Sequence, residues 1–376
     1  MSDASETTAA TTATHAPADG AGSADGVPAQ PSPATTAAPA APRTARRPLP
    51  RRLLGRPEIG ALLGAVAVYV VFFALAPTFR QLDSMATVLY QASTIGIMAI
   101  AVALLMIGGE FDLSAGVAVI TSSLTASMVA FQFTLNVWSG VLVALVLSLA
   151  IGAFNGFLLV RTGLPSFLIT LGAFLMLQGL NLAVTKAVTG EVATDSIRDM
   201  DGFDQARAVF ASEFTLFGVD FRITIVWWLV FACLATWVLL RTRFGNWIFA
   251  VGGNQNSARA VGVPVARTKI TLFMVVGFAA WFVGMHRLFA YDTVQSGEGV
   301  GNELLYIAAA VIGGCSLTGG YGSVFGPFIG ALLFGMVTQG IVYANWNPDW
   351  FTFFLGAMLL LAVLINLWVR TQATRR

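Results

Sequence analysis

The sequence predicts an all-α polytopic membrane protein of about ten transmembrane helices with glycine-rich breaks and both termini cytoplasmic. Three observations carry that expectation. Only 11% of the 376 residues are charged while 56% are hydrophobic, against about 25% charged in a soluble domain. Ten apolar runs approach the roughly 20 residues that a helix needs to cross about 30 Å of hydrocarbon. The bases gather on alternate connections, as the positive-inside rule demands.

Residues 1–42 are Ala, Thr, Pro, Ser and Gly with four acids (Asp3, Glu6, Asp19, Asp25) and no Lys or Arg. So little apolar surface cannot offset chain entropy, and a disordered tail is expected. An acidic start with no apolar core is not a signal peptide. Residues 43–58 form a cytoplasmic collar containing Arg43, Arg46, Arg47, Arg51, Arg52 and Arg56.

The membrane domain then occupies 59–369. Its expected spans are 59–79, 85–107, 113–131, 138–160, 165–184, 223–240, 270–289, 303–314, 324–344 and 350–369. The eighth is short, and the third and ninth begin at glycine-rich breaks, which suggests half-helices. Segment 186–222 has seven acids against four bases and is read as external. Its acids alternate with Ile197, Met200 and Phe203, as in an amphipathic helix lying on the surface, or simply in a solvated loop. Loop 241–269, with five bases and no acid, is read as cytoplasmic together with the tail 370–376.

The residue inventory weighs against several function classes. The two lysines, Lys186 and Lys269, do not follow glycine, so there is no Gly-Lys-Ser/Thr phosphate loop, and any ATP must be bound by another chain. Two scattered cysteines, Cys233 and Cys315, and two histidines, His15 and His286, provide neither a disulfide framework nor a metal site. No cofactor is expected. A membrane-embedded enzyme would need a nucleophile–base pair, which is missing. An ion-coupled secondary transporter stands as the less favoured alternative, because such a carrier would place ionisable groups in mid-membrane, where the spans carry almost none.

The motifs leave alternatives open. In Gly108-Gly109-Glu110-Phe111-Asp112-Leu113-Ser114, Asp112 or Ser114 can cap the next helix, touch solute or touch a partner. Asn155, Ser166, Thr170, Gln178 and Asn181 are neutral polar groups within spans, and Ser166 and Thr170 share a helix face. They suit either a path for a hydroxylated solute or hydrogen bonds between helices. Gly313 to Ser323 reads as a tight turn without a base to hold an anion. Seven glycines (Gly156, Gly163, Gly172, Gly179, Gly330, Gly335, Gly340) fit small-residue helix packing. His286-Arg287 lies at the end of a span, where Arg287 can reach the interface or serve a gate. Within loop 241–269, Asn254 is a good N-cap, residues 255–261 make about two turns, Gly262 suits the position after the helix, and Pro264 stops it. A mere connection has no need of caps at both ends.

These motifs resemble the ribose-type permease subunits of ABC importers. The resemblance rests on Gly-Gly…Asp112-Leu113-Ser114, Gly152-Ala153-Phe154-Asn155-Gly156 and Leu164-Pro165-Ser166-Phe167-Leu168-Ile169-Thr170-Leu171-Gly172. It also rests on Val251-Gly252-Gly253-Asn254…Ala258-Arg259…Gly262 and Gly313-Gly314-Cys315-Ser316-Leu317-Thr318-Gly319-Gly320. It covers roughly 59–369 and implies a ten-helix permease in a bacterial plasma (inner) membrane. The implied partners are a second permease copy, identical or different, an ATP-binding subunit and an external solute-binding protein, with no nucleic acid. The ATPase-coupling helix would map to Gly252, Gly253, Asn254, Ser257, Ala258, Arg259 and Gly262, and the candidate path to Asp112, Ser114, Asn155, Ser166, Thr170, Gln178 and Asn181. A monosaccharide is the implied cargo; a nucleoside, inositol or amino acid is the alternative. The sequence departs from the family pattern at Glu110-Phe111, where many members have one apolar residue, and at Cys315, where threonine is commoner.

Overall fold

A computed structural model describes residues 57–133 and 136–374. The tail 1–42, the collar up to residue 56, and Arg375 and Arg376 lie outside the described residues. In chain order the elements are α1 (Pro57–Leu75), a 3-10 turn (Pro77–Arg80), α2 (Leu82–Ile107), α3 (Ala115–Phe133), α4 (Val137–Thr162) and α5 (Ser166–Thr189). There follow α6 (Phe203–Phe210), β1 (Glu213–Leu216), β2 (Val219–Arg222), α7 (Ile223–Arg241), α8 (Arg243–Gly253) and α9 (Gln255–Ala260). The chain closes with α10 (Val265–Tyr291), α11 (Asn302–Ile312), α12 (Phe325–Tyr343) and α13 (Trp350–Thr374). Eight helices, α1 to α5, α7, α10 and α12, are long and apolar enough to cross a membrane. Helix α11 and the Trp350–Leu361 part of α13 are shorter apolar helices. Each expected span overlaps one of these ten.

Helix α2 is the centre of the bundle. Every residue from Ile95 to Gly108 is buried, as expected of a helix that is apolar on all sides. It packs against α7, α10, α11 and α12, while α10 packs against α3 and α4, and α1 against α12. Between α4 and α10 a Cβ on Gly152 would collide with the Phe273 carbonyl, and one on Gly277 with the Ser148 carbonyl. Without a hydrophobic force between helices in lipid, such close backbone contact is what holds them. Gly156, Gly330, Gly335 and Gly340 likewise lie against neighbouring helices. Gly172 and Gly179 do not: they face open space on α5, and Gly163 instead closes α4 with φ 69°.

Segment 190–222 is more structured than its composition suggests. The amphipathic helix occurs, but it is α6, beginning at Phe203 after Gly202, and the acidic run Asp195–Asp201 stays outside it. Phe203, Ala206 and Phe210 form its buried face, with Phe210 stacked on Phe289 at 5.8 Å between centroids. The β1–β2 hairpin was not expected. Phe217 and Gly218 turn it with φ 55° and 77°, the two positive values of a type I′ turn, and phenylalanine there carries no turn signal. Backbone bonds from Thr194 N to Val294 O and from Ile197 N to Asp292 O tie this segment to the end of α10.

Loop 241–269 is almost wholly helical. Helix α9 ends at Ala260, one residue before the expected boundary, and α10 begins at Val265, five residues before the expected seventh span. The additional helix is α8, capped by Thr242 Oγ1 accepting from Gly245 N at 3.2 Å and anchored by buried Ile248 and Val251.

Three glycine pairs meet where α2, α8 and the loop before α12 end. A Cβ on Gly252 would strike the Ile107 carbonyl and Gly320 N, and one on Gly319 would fall 2.6 Å from Gly109 Cα. Gly320 would meet Gly253 Cα at 2.7 Å in the same way, and Gly320 N donates to Ile107 O at 2.8 Å. Gly109, Gly319 and Gly320 also have positive φ, which glycine adopts without steric penalty. A Cβ on Gly253 meets nothing within 4 Å. Gly252→Ala is therefore expected to destabilise the purified, solubilised protein by ~1–3 kcal/mol through overpacking, and Gly253→Ala by less than ~0.5 kcal/mol. Thermal unfolding followed by tryptophan fluorescence checks the pair; equal midpoints would contradict the backbone contact.

Candidate functional site

After Ile107 the chain leaves helical geometry and resumes it at Ala115. Irregular backbone inside a bundle has to find hydrogen-bond partners there. Phe111 N donates to Ser166 Oγ and Leu113 N to Thr170 Oγ1, both at 3.0 Å. Ser114 N donates to Asp112 Oδ1 at 2.8 Å, Ser114 Oγ donates to the same oxygen, and Asn155 Nδ2 donates to Ser114 Oγ at 3.1 Å. Asp112, Ser114, Asn155, Ser166 and Thr170 are thus brought together, all buried, and their polar atoms hold the α2–α3 break. Burial raises the Asp112 carboxyl above its usual range, while the two Ser114 bonds act to lower it. Gln178 and Asn181 lie further along α5, outside this cluster. Asn181 is buried with an Nδ2 that lacks a hydrogen-bond partner.

At the same end of the bundle, Asn254 Oδ1 accepts from Asn256 N at 3.0 Å and Ser257 N at 2.9 Å, capping α9. Ala258 turns inward against Val251 and Val265. Gly253, Asn254, Ser257 and Arg259 are exposed, Val261 is 79% exposed, and Gly262 leaves the helix at φ 85°. Gly252 is half-buried in the glycine contact.

Two residues noticed in the sequence for other reasons turn out to be partners. Glu110, a departure from the family pattern, forms an ion pair with Lys269, which the sequence marks as a base of the cytoplasmic loop and as a lysine outside any phosphate loop. Their side chains are 10% and 11% exposed. Lys269 Nζ also donates to Gln255 Oε1, the first residue of α9, at 3.0 Å. One ammonium thereby joins the α2–α3 break, α9 and the first turns of α10. No spacing connects residues 110, 255 and 269, so the triad was not legible beforehand.

The opposite end holds a second polar constellation. Helix α10 stops at Asp292 with φ 64°, and the following segment turns back into the bundle. A Cβ on Gly299 would touch Ile120 Cγ1 and the Gly116 carbonyl of α3. Helix α11 starts from this depth, with the Glu303 carboxylate accepting from Gly301 N at 3.0 Å. A cavity of about 590 Å³ opens between the returning segment, α2, α10 and α11. Arg287 pairs with Glu298 on its wall. His286 is not on that wall: it is fully buried beside Phe210, Thr224 and Tyr90.

Among the described residues no three His, Cys, Asp or Glu side chains group as a metal site. Residues 84–363 match the model of the family described as branched-chain amino acid transport system / permease component. The chain is 29% identical over 314 residues to the ribose import permease of Escherichia coli (strain K12), covering 82% of this chain and 93% of that one. It is 31% identical over 325 residues to the galactose/methyl galactoside import permease of Haemophilus influenzae, covering 81% and 94%. The fructose import permease of Rhizobium meliloti is 28% identical over 319 residues, covering 84% and 86%. No solved structure matches the chain. With eight membrane-length helices, a glycine-bound break and a family match running almost from the start of α2 into α13, this chain belongs to the branched-chain amino acid transport system / permease component family.

Proposed function

We propose that this chain is the membrane subunit of a binding-protein-dependent ABC importer and forms the translocation path for a monosaccharide. A separate ATPase docks on α9, two permease copies form the path, and a binding protein delivers solute at the hairpin end. The observation that carries this reading is α9 itself: a short helix capped at Asn254 with Arg259 and Val261 facing outward. It is joined through Gln255 and Lys269 to the buried break. Relatives named for ribose, galactose and fructose import support a monosaccharide as the cargo. The chain has no Gly-Lys-Ser/Thr phosphate loop of its own, so ATP closure is supplied by the partner. On this reading the chain crosses a bacterial plasma membrane ten times, α11 and α13 included, with both termini on the α9 side. The positive-inside rule supports that orientation, because the collar and loop 241–269 concentrate the arginines there.

The transmission is a biased two-state equilibrium: a partner that binds α9 differently in two states shifts whatever is rigidly attached to α9. Arg259→Glu combined with Val261→Asp changes exposed side chains only, so the protein is expected to reach the membrane normally while losing both ATPase co-purification and uptake. ATPase retained at the unmodified level would overturn the docking assignment.

The ion pair makes its own prediction. Glu110→Gln leaves a largely buried ammonium without its carboxylate and is expected to destabilise by ~3 kcal/mol or more. Lys269→Met in the same chain is expected to restore much of that loss. A thermal-unfolding double-mutant cycle checks it; losses that simply add would mean that the two groups do not interact.

A further inference from the structure

The cavity at the hairpin end is assigned no role by the family match, and its wall has a definite chemistry. We infer that it is a seat for one neutral, polyhydroxylated solute of monosaccharide size, contacted on its way through this subunit. The inference rests on the importer reading above and places the solute within it.

Depth comes first. Segment 293–301 is irregular backbone that returns as far as Gly116 and Ile120 of α3. Such backbone is tolerated inside a membrane only where protein buries it or where it lines a watery cavity, and Gln295 and Glu298 of this segment do line one. Its volume, about 590 Å³, falls within the roughly 300–1,000 Å³ of small-molecule pockets.

Charge decides the solute class. Arg287 and Glu298 are the charged side chains of the lining, and they pair with each other. A zwitterionic amino acid would have to compete with that pair for both partners. A neutral polyol needs only hydroxyl and amide groups, which Tyr90, Gln91, Asn302 and Tyr306 offer.

The direction of one hydrogen bond is also set. The Phe210 carbonyl can only accept, so His286 Nδ1, 2.8 Å away, carries the hydrogen. The ring's other bonds go to hydroxyls, with no carboxylate to hold it charged. Its Nε2 is therefore an acceptor, and the Tyr90 hydroxyl donates to it at 3.0 Å. With its hydrogen engaged, Tyr90 presents lone pairs; the Tyr291 hydroxyl lies 3.4 Å away, and the remaining accepting capacity is open to a donor in the cavity. Arg222 of β2 stacks over the Tyr90 ring at 5.1 Å and bonds Glu213 of β1 at 2.9 Å, holding the ring in place. His286 is a positioning residue here, and Tyr90 is the group that meets the solute.

The test uses the whole importer (this chain with its ATPase and binding protein) in proteoliposomes, supplied in turn with D-ribose, D-galactose, D-fructose and L-leucine. Uptake and ATP hydrolysis are measured together with saturating solute-loaded binding protein. Tyr90→Phe is expected to lower sugar uptake roughly three- to tenfold, the worth of one hydrogen bond, with stimulated ATP hydrolysis kept. Tyr90→Phe with Gln91→Leu is expected to lower sugar moved per ATP further. Unchanged sugar per ATP in both variants would overturn the seat and leave the importer reading standing. A parallel fall in uptake and hydrolysis would make the residues structural and overturn it equally. If the unmodified complex moves none of the three sugars, or moves L-leucine in their place, the importer reading for sugars fails and the seat with it.

Discussion

The structure depends on a contact that leaves no room for side chains. Ile107 to Gly109 at the end of α2, Gly252-Gly253 at the end of α8 and Gly319-Gly320 before α12 touch backbone to backbone. A bundle in lipid cannot rely on hydrophobic exclusion between its helices, so close packing and satisfied polar groups take its place. The central helix, the surface helices that follow α7 and the loop entering α12 are therefore fixed to one another at one point.

The break after α2 has to satisfy backbone groups that a continuous helix would satisfy internally. It borrows the hydroxyls of Ser166 and Thr170 and closes on itself through Asp112 and Ser114. This turns a polar stripe on α5, which reads equally well as a solute path, into the support of an irregular segment. Glu110 adds a charge that is tolerable only because Lys269 lies beside it. An unpaired charge at such a position would be costly. The same lysine holds Gln255, so the support of the break and the base of α9 share one group.

The two polar constellations are linked by continuous helices: α2 runs from Tyr90 at the cavity to the break, and α10 joins the same two ends. Helix α10 runs 27 residues from Val265 to Tyr291, about 40 Å, with Lys269 near α9 and Arg287 at the cavity. Its second half is buried without interruption from Ala279 to His286. A close-packed helix of this kind transmits strain along its length, so its two ends are mechanically joined.

Much of the architecture was legible in the sequence by itself. The apolar runs located ten helices because burial in lipid is written residue by residue. Asn254, Gly262 and Pro264 outlined α9 because capping is a local matter of φ and of hydrogen bonds within a few residues. Tertiary structure alone decided the rest. Which carboxylate faces Lys269, that segment 293–301 returns to α3, that Phe217 turns a hairpin, and that Tyr90 donates to His286 all depend on helices far apart in sequence. Hydropathy says that a helix is buried; only packing says what its polar atoms meet, because hydrogen-bond direction and ion pairing are properties of neighbours in space.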